Sequence, residues 1–129
     1  MSEPRKHFAE VVALHRAAQT ADERLLKAFG ELDVPLTPRQ AVVLEAISQH
    51  DGCNQTTLVE VTGVDRSTMT DIVRRLTDRG LVKRNRTRND ARSYALHLSM
   101  DGIEALAAAR RADASVAAAL SALVREVAA

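Results

Sequence analysis

The chain has 129 residues, a formal net charge of +1 and 46% apolar residues, of which only Phe8, Phe29 and Tyr94 are aromatic. That length holds one domain around one core and excludes two independent cores. So few aromatic residues argue against a sheet sandwich and for closely packed aliphatic helices. The single Cys53 excludes an intrachain disulfide, the polar opening MSEPRKHFAE is not a signal peptide, and no apolar run approaches the ~20 residues that span a bilayer. The expectation is a soluble, cytoplasmic protein that needs no membrane and, in the setting derived below, sits on the nucleoid.

In chain order, Ser2 is placed to cap a first long helix with Glu3 and Pro4 in its first turn. Phe8, Val11, Val12, Ala18, Leu25, Leu26 and Phe29 return at multiples of three to four residues, and the helix is expected to finish between Gly30 and Leu32. Asp33 to Leu36 reads as a linker. Thr37-Pro38-Arg39-Gln40 then carries a cap, a proline at the first helical position and a capping-box partner. In the second helix Gln40, Val43, Leu44 and Ile47 share one side, and Asp51-Gly52 supplies the stop. Cys53 is read as a one- or two-residue strand.

Asn54 caps a short third helix through Thr62, closed by Gly63, and Asp65 caps a fourth. Met69, Ile72, Val73 and Leu76 fix the buried face of that fourth helix. At about 100° per residue the opposite face carries Ser67, Asp71, Arg74 and Asp78, flanked by Thr68, Thr70 and Arg75. Gly80 ends it. Leu81 to Arg84 and Ser93 to Leu98 read as two strands, with Asn85 to Arg92 as a basic loop between them. Ser99 caps a last helix with Asp101 in its first turn, and its stripe Ile103, Leu106, Val116, Leu120, Leu123, Val124 and Val127 runs to the end.

The charge is unevenly spread. Residues 64 to 92 hold nine cations against four anions, a local +5 that leaves −4 for the remainder. A basic footprint in a nearly neutral chain implies a polyanionic partner for that segment. Helix, tight turn, second helix and two-stranded basic wing is the order of a winged helix-turn-helix, whose second helix enters the major groove. Ser67, Thr68 and Thr70 are of the type that bonds phosphates or base edges, and Arg66 or Arg74 could read guanine through paired donors. Arg75 flanks that face. Arg84, Arg86, Arg88 and Arg92 would reach phosphates or the narrow minor groove, where negative potential favours arginine. Asp71 fits either pairing with Arg74 and Arg75 or acceptance of a cytosine amino proton.

Other residues carry less. Met69 lies in the apolar stripe and reads as core, and Cys53 reads as a small hydrophobe rather than a redox sensor. His7, His15, His50 and His97 lack metal-ligand spacing, so no metal and no cofactor is expected. His15 is the histidine to check for a ligand cleft. No nucleophile and base stand in a recognisable setting and there is no glycine-rich phosphate loop, so an enzyme is not expected. A single aromatic in the unit also disfavours single-strand binding.

On these residues the chain resembles the MarR family of bacterial transcriptional regulators. The resemblance runs from Leu36-Thr37-Pro38-Arg39-Gln40 through Leu58-Val59, Gly63-Val64, Ser67-Thr68-Met69-Thr70 and Val73-Arg74-Arg75-Leu76 to Gly80-Leu81-Val82-Lys83-Arg84. It continues in Asp90-Ala91-Arg92 and Leu96-His97-Leu98-Ser99-Met100-Asp101-Gly102. It implies a mainly α fold with a small β-hairpin wing, a single domain in which residues 36–99 form the winged helix-turn-helix and 1–33 and 100–129 are dimerisation helices. It further implies a homodimeric regulator, read as a repressor, on a pseudo-palindromic site in double-stranded DNA, with helix 66–79 in the major groove and wing 85–92 at the minor groove. In that family an Asp-x-Arg pair braces the wing, so Asp90 would orient Arg92 or a neighbour. Many members respond to a small ligand, often an aromatic acid. Two departures stand out: the wing tip Asn85 to Asn89 is more basic than usual, and the chain ends at Ala129, which predicts an abbreviated or rearranged dimer interface. The alternative is a winged helix used for oligomerisation or protein docking, without specific DNA binding.

Overall fold

In the computed structural model, residues 7–86 and 94–128 are described; they form five helices and one antiparallel hairpin. The helices are α1 (Ala9–Glu31), α2 (Pro38–Gln49), α3 (Gln55–Thr62), α4 (Arg66–Asp78) and α5 (Met100–Ala128), and the strands are β1 (Val82–Arg86) and β2 (Tyr94–Leu98). This is the mainly α, winged arrangement that the sequence predicts.

Local signals account for most boundaries. The Gln40 N–H donates to Thr37 Oγ1 and the Thr37 N–H donates to Gln40 Oε1, each at 3.1 Å, so the capping box at α2 is complete. Asn54 Oδ1 accepts the Thr57 N–H at 3.0 Å at the start of α3, and Gly63 closes that helix at φ 74°, a left-handed conformation that glycine adopts without strain. Phe29, Val43, Leu44, Ile47, Leu58, Met69, Leu76 and Leu96 are fully buried, so one core joins α1 to α4, β2 and the first half of α5. No buried side-chain nitrogen or oxygen among the described residues lacks a partner.

Four expectations are corrected. The first helix starts at Ala9 and not at Ser2, which lies outside the described residues: Phe8 stands at φ 62° and is exposed, so neither backbone nor burial extends the helix through it. Cys53 forms no strand of its own. It and Gly52 lend β2 one bond each instead, the Gly52 N–H donating to the Leu96 carbonyl at 2.9 Å and the Leu96 N–H to the Cys53 carbonyl at 2.8 Å. Leu81 leaves β1, because its N–H turns back to the Leu76 carbonyl of α4, so that of the two bonds across to Ser99 only the one into the Leu81 carbonyl is made. The pairing instead continues to Arg86, opposite Tyr94, so two residues assigned to the loop belong to the strand.

α5 runs 29 residues without a break and lies along α1. Its entry is tight. Ser99 Oγ donates to the Gly80 carbonyl and accepts the Gly102 N–H, and a Cβ on Gly102 would stand 2.0 Å from the Leu81 carbonyl oxygen. Only glycine permits that approach between α5 and the end of α4. Beyond this junction, Val11, Val12, Leu14 and Leu26 of α1 and Ile103, Val124 and Val127 of α5 are exposed in the single chain.

Candidate nucleic-acid interface

α4 is anchored at one end by charge. Asp65 accepts the Thr68 N–H at 3.0 Å, the Thr68 hydroxyl at 2.6 Å and the Ser67 hydroxyl at 2.7 Å. The Thr68 bonds first, then that from Ser67, hold its carboxyl well below the usual carboxylate range. Ser67 and Thr68 therefore spend their hydroxyl protons on the cap. Their oxygens remain acceptors, which suits an amino group on a base edge better than a phosphate, since a phosphate oxygen needs a donor.

Thr70 is committed as well: its hydroxyl donates to the Arg66 carbonyl at 2.9 Å and accepts Gln55 Nε2 at 2.6 Å. Gln55, on the first turn of α3, was not singled out in the sequence, because a bond across fifteen residues leaves no local pattern. Arg66, Arg74 and Arg75 are exposed on α4. Asp71 resolves its two readings in the free chain by pairing with both arginines, accepting from Arg74 Nη2 and, at 2.9 Å, from Arg75 Nε. The Arg74 bond is the larger cause that keeps the Asp71 carboxyl below its ordinary value. Arg79 does different work from its neighbours: it donates to the Pro35 carbonyl at 2.6 Å and ties the end of α4 to the linker before α2.

On the wing, Arg84 and Arg86 are exposed and lie over the Tyr94 ring, at 5.3 and 6.0 Å from its centroid. Arg88, Asp90 and Arg92 lie outside the described residues, so the bracing of the wing by Asp90 has no structural description. At the other end of the hairpin, His97 Nδ1 is 2.9 Å from Asp51 Oδ1. Cys53 is half-buried, and its thiol is pushed up mainly by that burial and further by Asp51, against a backbone hydrogen bond that lowers it. An elevated thiol is a poor nucleophile, in keeping with the inert reading.

A separate cleft of about 250 Å³ opens between α1, α2 and α5, lined by Leu25, Phe29, Ala41, Leu106, Glu45 and Arg110 among others. At its edge Arg110 Nη2 donates to Glu45. His15 is exposed on α1 and is not among the residues that line this cleft, so the structure does not bring it to the candidate ligand space. Among the described residues no group of three His, Cys, Asp or Glu side chains is placed to hold a metal, and no helix is long and apolar enough to cross a membrane.

Comparison with known proteins bears on this geometry. The family model described as MarR family matches residues 34–93, which spans α2 to the wing. The chain is 31% identical over 97 residues to the transcriptional regulator HosA of Escherichia coli, covering 75% of this chain and 71% of HosA. It is 35% identical over 72 residues to a protein of Thauera aromatica assigned as transcriptional regulatory protein for the hcr operon, covering 56% of this chain but only 43% of that relative. Among solved structures, the transcriptional repressor CouR bound to a 23-mer DNA duplex superposes with a TM-score of 0.73 at 27% identity, over 99% of this chain and 100% of CouR.

Proposed function

The chain belongs to the MarR family of winged-helix transcriptional regulators, and from that premise we propose that it binds double-stranded DNA in a sequence-specific manner as a homodimer and acts as a repressor. One observation carries the reading: a rigidly capped α4 with Arg66, Arg74 and Arg75 on its exposed face leads through Gly80 directly into a strand that displays Arg84 and Arg86. Two adjacent elements of one charge sign form the electrostatic footprint of a duplex. α4 enters the major groove, where Arg66 and Arg74 are the candidates for guanine and Asp71 exchanges an arginine for a cytosine amino group or remains their brace. Ser67, Thr68, Thr70 and Arg75 line the same approach. Arg84, Arg86, Arg88 and Arg92 hold the flanking phosphates and minor groove, with Asp90 as the brace.

The exposed apolar residues of α1 and α5 support the dimer, since such side chains on two neighbouring helices mark a surface that another molecule covers. On this reading residues 1–33 and 100–129 serve dimerisation and 36–99 serve DNA. The cleft between α1, α2 and α5 is the candidate space for a small aromatic acid: it is apolar inside, and its edge carries Arg110 paired with Glu45, with Asp113 beside them, so an acid would have to displace Glu45 from the guanidinium.

Selection of bound duplexes from a random pool tests the whole reading. The expected winners are pseudo-palindromes with half-sites about one helical turn apart. Arg74→Ala should then relax discrimination at one base position, whereas Arg86→Ala should weaken all sequences alike and lower the salt slope by about 1. A dimer with no preference among duplexes would instead favour a docking module, as would unchanged activity after charge reversal at Arg86 and Arg88.

A further inference from the structure

We propose that Tyr94 is the positioning residue of the wing, holding Arg84 and Arg86 as a preformed two-pronged clamp for the phosphates of a DNA backbone. The inference rests on the duplex-binding reading above. In the hairpin register Arg86 lies directly opposite Tyr94, and Arg84 is opposite Leu96. Directly opposed residues share one face of a two-stranded ribbon, and residues two apart on a strand return to that face about 7 Å apart. Arg84, Arg86 and Tyr94 therefore stand together, and both guanidinium groups lie within 6.0 Å of the one ring centroid. Lys83 and Asn85 take the opposite face.

The two arginines have no carboxylate partner among the described residues, in contrast to Arg74 and Arg75, which share Asp71. That difference matters for an anion-binding surface. A carboxylate orients an arginine but neutralises the charge that a phosphate would meet, so pair and ligand compete. An aromatic face attracts the cation through its quadrupole, carries no net charge and leaves the outward N–H groups free. The ring thus lowers the ordering cost of two long side chains that a phosphate would otherwise have to bear. Tyr94 itself is half-buried at the start of β2, so the platform is fixed to the hairpin. It is also the one aromatic residue between Phe29 and the end of the chain.

The test compares Tyr94→Leu, which keeps bulk without the π face, with Tyr94→Phe, which keeps the face, in the full-length protein on fluorescently labelled random-sequence duplex. Tyr94→Leu should bind about fivefold more weakly and Tyr94→Phe like the wild type, as expected for exposed cation–π contacts. In an Arg84→Ala/Arg86→Ala background the Tyr94→Leu change should have no further effect, because nothing is left for the ring to hold. A loss that persists in that background shows a general packing role and overturns the proposal, as does equal binding by Tyr94→Leu and wild type. NMR of the guanidinium Nε–Hε groups supplies a readout without DNA: ring-current shifts at Arg84 and Arg86 should survive in Tyr94→Phe and vanish in Tyr94→Leu. Their absence from the wild type also overturns the clamp. Wild-type protein that shows the shifts yet binds no duplex overturns the duplex-binding reading and the phosphate half of the clamp, while the hold of Tyr94 on the arginines stands.

Discussion

The middle of the chain and its flanks are built on different terms. From Val34 to Ala112 every large buried side chain finds its neighbours within the chain, each short helix has a side-chain cap, and the hairpin is tied back to α2 through Gly52 and Cys53. The outer reaches of α1 and α5 are the reverse, with Leu26 56% and Val124 69% exposed and, among the described residues, none buried before Ala28 or after Ala112. A closed core can hold a DNA-contacting surface rigid by itself. Two long helices that lie along each other and still leave apolar residues exposed have a face that their own chain does not bury.

The sharpest way to break the first half of that contrast is Leu44→Ala, at a position with no exposure, which should lower unfolding free energy by about 3 kcal/mol in chemical denaturation. Gly102→Ala comes next, at about 2 kcal/mol. Its sign is informative, since in an exposed helix interior the same change would stabilise by up to about 1 kcal/mol, whereas here the new methyl would drive into the Leu81 carbonyl. Removal of a cap by Asn54→Ala should cost about 1 kcal/mol and loosen α3, visible as faster amide exchange at Thr57.

A smaller effect concerns pH. Asp65 has its carboxyl lowered on folding, so its contribution to stability is fully present above the ordinary carboxylate value near 4 and fades as pH falls through the lower folded value. The melting-temperature gap between wild type and Asp65→Ala should therefore stay constant above about pH 5 and narrow under more acid conditions. Smallest of all on folding should be Leu26→Ser, within about 0.5 kcal/mol for the dissociated chain. The same variant should raise the dissociation constant of the proposed dimer in sedimentation, which is how the flanks would reveal their different dependence. A fall in single-chain stability as large as that of Leu44→Ala would erase the distinction.

Much of this was legible from sequence because it depends on neighbours. Capping at Thr37, Asn54 and Asp65, the stops at Gly63 and Gly80 and the buried stripe Met69, Ile72, Val73, Leu76 all involve residues a few positions apart. The candidate site was legible in composition but not in wiring. That Ser67 and Thr68 donate to Asp65, that Gln55 reaches Thr70, and that Arg79 is withdrawn to the Pro35 carbonyl could not be read from residue types alone. His15 shows the same limit: a place on an apolar helix does not say which side faces a cleft, and Leu25, Phe29 and Arg110, not His15, are among the residues that line the one between α1, α2 and α5.

What the sequence determined by itself is therefore the order of the helices, the ends of α2, α3 and α4, the basic central segment and the family to which the chain belongs, since periodicity, caps and charge act over a turn or two of backbone. Tertiary structure decided the rest: the extension of β1 to Arg86, the glycine-tight seat of α5 on Leu81, and the Tyr94 ring beneath two arginines. Each of these joins residues eight or more positions apart, and a contact of that kind exists only once the intervening chain has folded to bring its two sides together.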